Sequence, residues 1–370
     1  MNLKVYTDFN EELKLIWNDL EESSDSSPFQ SFNWLSNWHK IVGVPVHKID
    51  LHVICVFTDD KIISILPMSI RKIRGVKVLE WLGGMHTDYL APILKRGLDL
   101  TEDDFGDVWN QVLKELPGFD IIHFSHQPSF IGTQANPFSV FLDTKLMMNS
   151  YQCYFEGSWE DYKNNNISKK VLADSRRQRN RLSEIGKLEF KIFDEDEDIH
   201  ELTETMIRQK RMRYDATGGW DQFQIPEHQE LYRNLKKPLG KDNTVHCSAL
   251  LLDNKIIASH WGIISKSTLF YILPTHEGGD LSKYSAGKLL LENLLEWCCD
   301  NDIKYFDFTG GEEPYKKIWT NTSFALTETV KPNSFKGNVY IFIEHSRSFL
   351  KDIPIIGQVI KNIYNYFRSN

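Results

Sequence analysis

The order of predicted strands and helices occurs twice along this chain. In the first part, three strands, a helix and a further strand are predicted at 51–57, 62–70, 76–82, 102–116 and 119–124. The second part repeats that order at 245–252, 256–264, 268–273, 284–299 and 305–308. Short polar links, Asp59-Asp60-Lys61 and Asp253-Asn254-Lys255, join neighbouring strands in each part. The repeat predicts an α/β fold of two tandem modules, each a mixed, mostly antiparallel sheet flanked by helices.

The predicted division of the chain is a first module at 1–150, a second at 151–334 and a tail at 335–370. In the tail, Ile356, Ile360, Ile363 and Phe367 recur at helical spacing, and five Lys/Arg stand against two Asp/Glu. An amphipathic helix is therefore expected. It either packs on the body of the protein or makes a peripheral contact with a membrane surface.

Net charge and cysteine content restrict the expected ligands and the expected cellular compartment. The 370 residues carry a formal net charge of -8, which makes the whole molecule a poor ligand for DNA. The five cysteines are scattered without a C-x-x-C pair, so a reducing compartment and no metal site are expected. No signal peptide or membrane span is visible in the sequence, and a cytoplasmic protein is expected.

A small-residue turn, Leu281-Ser282-Lys283-Tyr284-Ser285-Ala286-Gly287-Lys288, follows a predicted strand and opens the long helix. Free N–H groups of a first helical turn favour an anion such as a pyrophosphate. Lys283 and Lys288 add positive charge, and Ser285, Ala286 and Gly287 allow a close approach of the backbone. The pattern indicates a phosphate cradle, while an ordinary Ser-capped helix with solvated lysines is the alternative.

Five ordered stretches together resemble the acetyltransferase family named after the cellulose-biosynthesis protein CelD, a branch of the GNAT superfamily. Pro28 to Leu35 is similar to its "PFQS-x-x-WL" opening, and Trp81 to Leu90 to its "G…DY" segment. A basic stretch from Ser168 to Leu182 is similar to its basic helix. Tyr284 to Gly287 resembles "YSPG", with Ala286 in place of proline, and Phe306 to Trp319 resembles "FDF-x-x-G-(D/E)-x-PYK-x-x-W".

The resemblance implies a tandem GNAT-like fold, distantly related to Fem-type transferases, that takes acetyl-CoA or another acyl-CoA as donor. In such a sheet two central strands part, and the donor thioester lies in the gap. A backbone N–H near Ile272 is then expected to bind the thioester oxygen. Tyr315 is expected to protonate the leaving thiolate, and Lys316 to bind a phosphate or stabilise negative charge.

Two groups are candidates for the general base in this scheme, the Asp307 carboxylate and the His276 imidazole. Asp307 lies in the strand Tyr305 to Phe308 and either accepts the proton of the attacking group or caps the Gly310-Gly311 turn. His276, with Glu277 beside it, is the alternative base, because imidazole titrates near neutral pH. Both interpretations stay open at the level of sequence.

Acceptor contacts are expected from both modules. Asp88 and Tyr89 follow Gly83-Gly84, and their side chains suit a hydroxyl-rich acceptor. Glu312 and Trp319 of the shared motif, and Arg177 of the basic helix, are further candidates. The basic helix either cradles a phosphate-bearing ligand or forms an ion network with the acidic segment 194–204.

The sequence thus predicts an N- or O-acyltransferase that acts by direct transfer in a ternary complex, since no Cys-His pair suggests an acyl-enzyme. The expected acceptor is a small molecule or sugar-linked compound, such as an amino sugar precursor of surface polysaccharide. One alternative is a Fem-type transferase that uses aminoacyl-tRNA. The other is a non-catalytic partner of a polysaccharide synthesis complex.

Overall fold

The structure is a computed structural model that describes residues 1–235, 239–240 and 242–352. Its strands are β1 Asn2–Tyr6, β2 Asp50–Thr58, β3 Lys61–Ile73, β4 Val76–Trp81, β5 Ile93–Leu94, β6 Ile121–Pro128, β7 Phe130–Ile131, β8 Gln134–Ala135, β9 Lys145–Tyr154, β10 Leu188–Phe193, β11 Asn243–Leu252, β12 Lys255–Ser265, β13 Thr268–His276, β14 Tyr305–Gly310 and β15 Thr322–Pro332. Its α-helices are α1 Glu11–Glu22, α2 Phe32–Trp38, α3 Glu102–Glu115, α4 Pro137–Phe141, α5 Trp159–Asn166, α6 Lys169–Ser183, α7 Asp196–Thr217, α8 Pro226–Asn234, α9 Ala286–Asp300, α10 Pro314–Trp319 and α11 Phe335–Asp352.

Local chemistry fixes several helix starts. Ser31 precedes α2, and its hydroxyl oxygen accepts a hydrogen bond of 3.2 Å from the N–H of Trp34. Thr101 and Asp104 form a reciprocal capping box at the start of α3. These caps satisfy N–H groups that have no partner inside the helix, so each helix begins where the sequence provides an acceptor.

One mixed sheet contains both modules. Its strand order is β1-β2-β3-β4-β6-β15-β9-β14-β13-β12-β11-β10, with β5 paired to β3. Only β4 with β6 and β13 with β14 are parallel; the other neighbours among the described strands are antiparallel. Each half therefore has the same arrangement, a run of antiparallel strands followed by one parallel neighbour that is reached through a helix. The predicted tandem, mostly antiparallel α/β fold is confirmed.

The two modules exchange a strand at the centre of the sheet. β9, which spans the predicted boundary at residues 150 and 151, pairs with β14 of the second half. β15, from the end of the second half, pairs with β6 of the first. β9 and β15 also pair with each other over seven residue positions from Thr322 to Glu328. The backbone thus crosses between halves twice, and the modules share one continuous ladder.

Aromatic packing holds the two halves together on one face of the sheet. The ring of Phe29 lies 5.6 Å from that of Phe270, and the ring of Trp34 lies 6.5 Å from that of Trp261. All four side chains are buried in one hydrophobic cluster. Because burial of large aromatic rings is among the strongest contributions to an interface, this contact fixes the relative orientation of the modules.

Side chains fill the space beside the parallel strand pair of the first module. β4 and β6 pair only at Val78 with Ile121 and at Leu79 with Ile122. Beyond these positions, the rings of Trp81 and Phe124 stack 4.5 Å apart, and Phe138 of α4 packs against both. The first module therefore has no room for a ligand at the place where its parallel strands stop pairing.

The start of the tail is a helix that packs on the sheet. α11 places Tyr340 and Ile341 against Val76, Val78 and Ile121. Packing on the body is therefore observed for this part of the tail. The tail positions Ile356, Ile360, Ile363 and Phe367 lie outside the described residues.

Candidate active site

In the second module the parallel strands part around an open cavity. β13 and β14 pair only at Thr268–Tyr305, Leu269–Phe306 and Phe270–Asp307. Beyond these pairs lies a cavity of about 710 Å³. Its lining residues come from β13, α6, α7, α10 and the start of α9, and include Lys170, Asp174, Arg213, Tyr271, Thr275, His276, Ser282, Ser285, Ala286, Gly287, Lys288, Leu291, Tyr315, Ile318 and Trp319. The cavity has the size of a small-molecule site.

A β-bulge interrupts β13 beside this gap. Between the pairs Phe270–Ile263 and Leu273–Trp261, two residues of β13 oppose one residue of β12. Ile272 lies in this bulge, and its side chain packs against the hydrophobic cluster that contains Phe270 and Leu273. The role expected for its N–H as a donor to the thioester oxygen stays a prediction.

The start of α9 forms one wall of the cavity. Ser285, just before the helix, has a left-handed backbone with φ +55 and ψ 43. Its carbonyl accepts from Lys288 and Leu289, whereas the N–H groups of Ala286 and Gly287 lie in the first turn, where the helix offers no internal acceptor. A Cβ on Gly287 would lie 3.3 Å from Cδ2 of His276, so glycine keeps this wall close to β13.

The lysines of the predicted cradle differ in position. Lys288 lines the cavity and forms an ion pair with Asp174 of α6. Lys283 is exposed outside the lining, with its Nζ 5.2 Å from the ring centroid of Tyr284. Lys170 of α6, which sequence analysis did not single out, lines the cavity instead. The positive charge beside the helix start therefore comes from α6 and α9 together.

Tyr315 and Trp319 of α10 line the opposite wall. Desolvation in the cleft, with the nearby charge of Glu313, raises the pKa of the Tyr315 hydroxyl above its ordinary value, and Arg213 opposes this effect. The hydroxyl is therefore protonated at neutral pH. Trp319 is buried, and its carbonyl accepts hydrogen bonds from the Tyr162 hydroxyl at 2.7 Å and from Cys153 Sγ at 3.2 Å.

His276 lies at the end of β13 and lines the cavity. Its Nδ1 is 3.0 Å from the carbonyl oxygen of Glu277, which leaves Nε2 as the other polar ring atom. The carboxylate of Glu277 has other partners. That carboxylate accepts from Gln209 Nε2 at 3.2 Å and from Arg208, because it points toward α7 rather than the cavity.

Asp307 lies on the other face of the sheet, since Phe306 and Phe308 occupy the face of α9. It accepts hydrogen bonds from the Tyr89 hydroxyl at 2.6 Å, from Gln152 Nε2 at 2.7 Å and from the N–H of Thr309 at 2.7 Å. Burial raises the pKa of the carboxyl despite these donors. The bond to Thr309 is the capping role that sequence analysis offered as an alternative.

A second cavity, of about 650 Å³, lies on this other face. Asp307, Tyr89 and Gln152 contribute polar atoms to its lining, and Phe270 and Tyr305 contribute aromatic ones. Phe270 and Asp307 form the last register pair before the strands part. The two cavities therefore flank the same point of the sheet from opposite faces.

Asp88 of the first module reaches the loop after β14. Its half-buried carboxylate accepts from the Thr309 side chain and lies near Lys316 and Asp307. Burial, with the charge of Asp307, raises the pKa of Asp88 to about 7, against the opposing effect of Lys316 and Thr309. The structure thus brings together three predicted residues from the two modules.

Lys316 also contacts the loop after β14. Its buried Nζ donates to the carbonyl of Gly310 at 2.7 Å and pairs with Glu313 at 3.1 Å. Lys316 does not line the large cavity, so its charge acts on the loop and on Asp88. Because Gly310 and Glu313 both belong to the turn from Gly310 to Pro314, Lys316 holds this turn in place.

Two residues of α7 belong to this region and were missed by sequence analysis. Arg213 lines the large cavity, and Lys210 lies near Glu313. Burial, followed by the charge of Arg213, lowers the pKa of Lys210 to about 8. Both lie within a long helix rich in charged residues, and nothing in their spacing distinguishes them from solvated positions.

Glu312 and Arg177 lie away from the large cavity. Glu312 accepts from the N–H of Asn149 and from the Tyr151 hydroxyl, each at 2.9 Å, and Lys317 is its ion-pair partner at 3.0 Å. The bond to Lys317, followed by those from Asn149 and Tyr151, lowers the pKa of Glu312 to about 2. Arg177 is exposed on α6 and pairs with Asp174 of its own helix.

The expected ion network of the basic helix takes a different form. Arg179 of α6 donates to Asn293 at 2.9 Å and approaches Glu292 at 3.8 Å, both on α9. In the acidic segment 194–204, Asp198 pairs with Lys191 and Glu204 pairs with Arg233. The network therefore joins α6 to α9, because α9 is the helix against which α6 packs.

The parted parallel strands, the bulge and the helix start that faces the gap are features of a GNAT-type acyltransferase domain. Residues 169–317 match the family model described as an acetyltransferase (GNAT) domain. The predicted enzyme class, an acyltransferase of the GNAT superfamily, is confirmed.

Solved structures share this fold over nearly the whole chain. A crystal structure of FemX superposes with a TM-score of 0.61 at 9% identity and covers 93% of this chain and 100% of that chain. A conserved protein of unknown function from Bacteroides thetaiotaomicron gives a TM-score of 0.54 at 11% identity, with 89% and 99% covered. L-PGS from Bacillus licheniformis gives 0.51 at 11% identity, with 90% and 96% covered.

No curated protein sequence matches the chain significantly. Across residues 1–235, 239–240 and 242–352, no group of three or more His, Cys, Asp or Glu side chains is arranged to hold a metal ion. None of the helices in the described part of the chain combines the length and apolar character needed to cross a membrane.

Proposed function

We propose that this protein is an acyl-CoA-dependent N- or O-acyltransferase of the CelD-like family that acts on an amino sugar or another precursor of surface polysaccharide. The observation that carries the proposal is the contrast between the two modules. The gap beside β13 encloses about 710 Å³, whereas Trp81, Phe124 and Phe138 fill the equivalent place in the first module. One donor site per chain is therefore expected.

The open gap has polar groups at both ends that suit the donor. The free N–H groups of Ala286 and Gly287, with Lys288 and Lys170 nearby, suit the pyrophosphate of coenzyme A. The N–H of Ile272 suits the thioester oxygen, because a fixed backbone donor stabilises the charge that develops there. Leu291 and Trp319 supply apolar contacts between these two polar ends.

Asp88 is the favoured base, rather than Asp307. Asp307 is buried and already accepts hydrogen bonds from Tyr89, Gln152, Thr309 and Ser150, so a further proton would have to displace a donor. Asp88 is half-buried, and its pKa of about 7 lets it take a proton near neutral pH. His276, which lines the cavity, is the second candidate.

The reaction is a direct displacement. The acceptor amine or hydroxyl attacks the thioester carbon, a C–N or C–O bond forms, and the C–S bond breaks. Asp88 takes the proton of the attacking group, and the Tyr315 hydroxyl gives its proton to the leaving thiolate. No acyl-enzyme is needed, since a nucleophile and base are not paired in the cavity lining.

Titration calorimetry with acetyl-CoA and longer acyl-CoAs tests the donor. One binding site per chain is expected, and the affinities will rank the acyl groups. If none of these compounds binds, the donor assignment fails. Transfer to glucosamine and other amino sugars, followed by mass spectrometry, then tests the acceptor separately.

A Fem-type transfer from aminoacyl-tRNA is the second candidate, and basic side chains near the cavity favour it. Lys169, Lys170, Arg176, Arg181 and Lys283 are all exposed on α6 and on the turn before α9. They give a positive surface in a protein of net charge -8. Such a surface binds RNA with an affinity that falls steeply as salt rises. Filter binding of aminoacylated tRNA across a salt series distinguishes this candidate from the acyl-CoA enzyme.

A further inference from the structure

Helix α11 exposes an apolar strip along its outer face. Phe335 is 85% exposed and Phe342 is 73% exposed, and Val339 and Ile343 are also exposed. These residues occupy positions i, i+4, i+7 and i+8, so they form one continuous strip on a helix. Exposed phenylalanine on a helix that already packs on a body requires a separate explanation, because solvent exposure of such rings is unfavourable.

The inner face of α11 is fixed to the sheet. Tyr340 and Ile341 pack on β4 and β6. Gly337 lies so close to the backbone that a Cβ there would be 2.0 Å from the carbonyl oxygen of Asp120. Because this close packing prevents rotation of the helix about its axis, the apolar strip cannot turn inward and remains directed at the surroundings.

Basic side chains flank the helix, and each has a carboxylate partner. Lys336, Arg347 and Arg74 have exposed side chains, and Lys336 Nζ lies 3.8 Å from the Asp120 carboxylate. Glu344, a half turn away from the strip, faces the body and pairs with both arginines. At about 100° per residue, the half of the described helix centred on the strip carries Phe335, Lys336, Asn338, Val339, Phe342, Ile343 and Ser346, and no carboxylate.

We propose that α11 lies in the interface of an anionic phospholipid membrane, with the apolar strip inserted and the basic flank at the headgroups. An amphipathic helix of this charge pattern binds such a surface through apolar burial and electrostatic attraction. The sequence from 353 to 370 adds Lys361 and Arg368 and no Asp or Glu.

A second copy of the chain is a less suitable occupant of this face. A two-fold contact through α11 would bring the same strip and the same basic flank of each copy together. Basic side chains of the two flanks would then lie near one another, and like charges at an interface are unfavourable. The convex outer face of a single helix also offers little area for a stable dimer.

Vesicle sedimentation with the full chain tests the proposal. Phosphatidylcholine vesicles with added phosphatidylglycerol should bind the protein, and pure phosphatidylcholine vesicles should bind it much less. The double substitution Phe335→Ser with Phe342→Ser should reduce binding by about tenfold or more, because two inserted rings are lost. Leu15→Ser, on α1 and 70% exposed, is the matched control and should leave binding unchanged.

Two further measurements complete the test. Lys336→Gln with Arg347→Gln should weaken binding to the anionic vesicles and flatten its salt dependence. Sedimentation velocity without lipid should give the same mass for wild type and the phenylalanine variant. Equal vesicle binding by wild type and the phenylalanine variant would overturn the proposal, as would a change of oligomeric state in place of lost lipid binding. Neither outcome bears on acyl-CoA binding, which calorimetry measures independently.

Discussion

The hydroxyl of Tyr89 in the first module donates a hydrogen bond of 2.6 Å to the carboxylate of Asp307 in the second. The same hydroxyl lies 2.5 Å from Ser150 Oγ on the exchanged strand β9. Burial, with the charge of Asp307, raises the pKa of the Tyr89 hydroxyl well above its ordinary value, so it stays protonated and donates. One phenol therefore connects the first module, the exchanged strand and the motif that ends at Trp319.

Removal of that phenol should destabilise the whole chain. Tyr89→Phe leaves the ring in its aromatic contacts but takes one donor from a buried carboxylate, which costs about 1–3 kcal/mol. Urea unfolding at pH 7 measures the loss. Tyr305→Phe is the control, because the Tyr305 side chain is 36% exposed and should change stability little. Equal unfolding midpoints for both variants would show that the connection contributes nothing.

Closing the gap beside β13 should abolish donor binding without unfolding the protein. Gly287→Val adds methyl groups where even a Cβ lies 3.3 Å from His276. The affinity for acyl-CoA should fall by about tenfold or more, since the helix start can no longer approach the ligand. Calorimetry measures the affinity, and a thermal melt checks the fold.

The control for this prediction is Gly278→Ala. A Cβ at Gly278 meets no atom within 4 Å, and the residue lies in the same segment. Acyl-CoA affinity should therefore match wild type. If Gly287→Val binds acyl-CoA as tightly as this control does, the donor lies elsewhere.

Much of the second module could be predicted because its signals are local. The three strands of the meander, the small-residue turn and the long helix each have their own composition cues, and they occur where expected. The gap between two central strands was expected from the family resemblance. Asp88 and Tyr89 were singled out by the family resemblance and by the two glycines before them. Their contacts with Thr309 and Asp307 could not be predicted, because these partners lie over 200 positions away along the chain.

The exchanged strands were not predicted, and the reason is physical. β9 and β15 are half-polar segments whose partners come from the other module, so neither shows the continuous apolar run of a central strand. Lys210 and Arg213 were missed for a similar reason. Their effect depends on Glu313 and Tyr315, which a distant loop supplies. Nonlocal contacts of this kind leave no periodic signal in the sequence.

Loss of the Asp88 carboxylate should change the pH profile of transfer. With a pKa of about 7, Asp88 is protonated below that pH and unable to accept a proton, so kcat should rise with pH and level off above about 7. Asp88→Asn should lower kcat by about 100-fold or more and remove this rising limb. Stopped assays from pH 5.5 to 9 measure the profile.

Asp280→Asn is the control for Asp88, because Asp280 is an exposed carboxylate near the start of the same cleft. Its pH profile should match wild type. A rising limb that survives in Asp88→Asn would assign the base to another group, and His276→Gln would then be the next variant to measure.

Three neutral histidines between the modules should make the fold sensitive to acid. His86 and His228 have ring centroids 4.4 Å apart, and His47 lies 6.3 Å from His228. Burial, followed by the neighbouring histidines, lowers the pKa of His86 to about 3, and burial, followed by Arg71 and His228, lowers that of His47 to about 4. Burial also lowers the pKa of His228.

Because the pKa values of these histidines are lowered in the folded state, the stability of the fold decreases as the pH falls. Each folded-state pKa lies below the value of about 6.5 in the unfolded chain, so the unfolded state binds more protons between about pH 6.5 and 4 and stability falls there. His47→Phe keeps a ring beside Trp38 but removes one titrating group, so its loss of stability from pH 7 to 5 should be smaller by about 1 kcal/mol. Urea unfolding at both pH values measures the difference, with His123→Phe as an exposed control. Parallel losses in wild type and His47→Phe would exclude a role for this histidine in acid sensitivity.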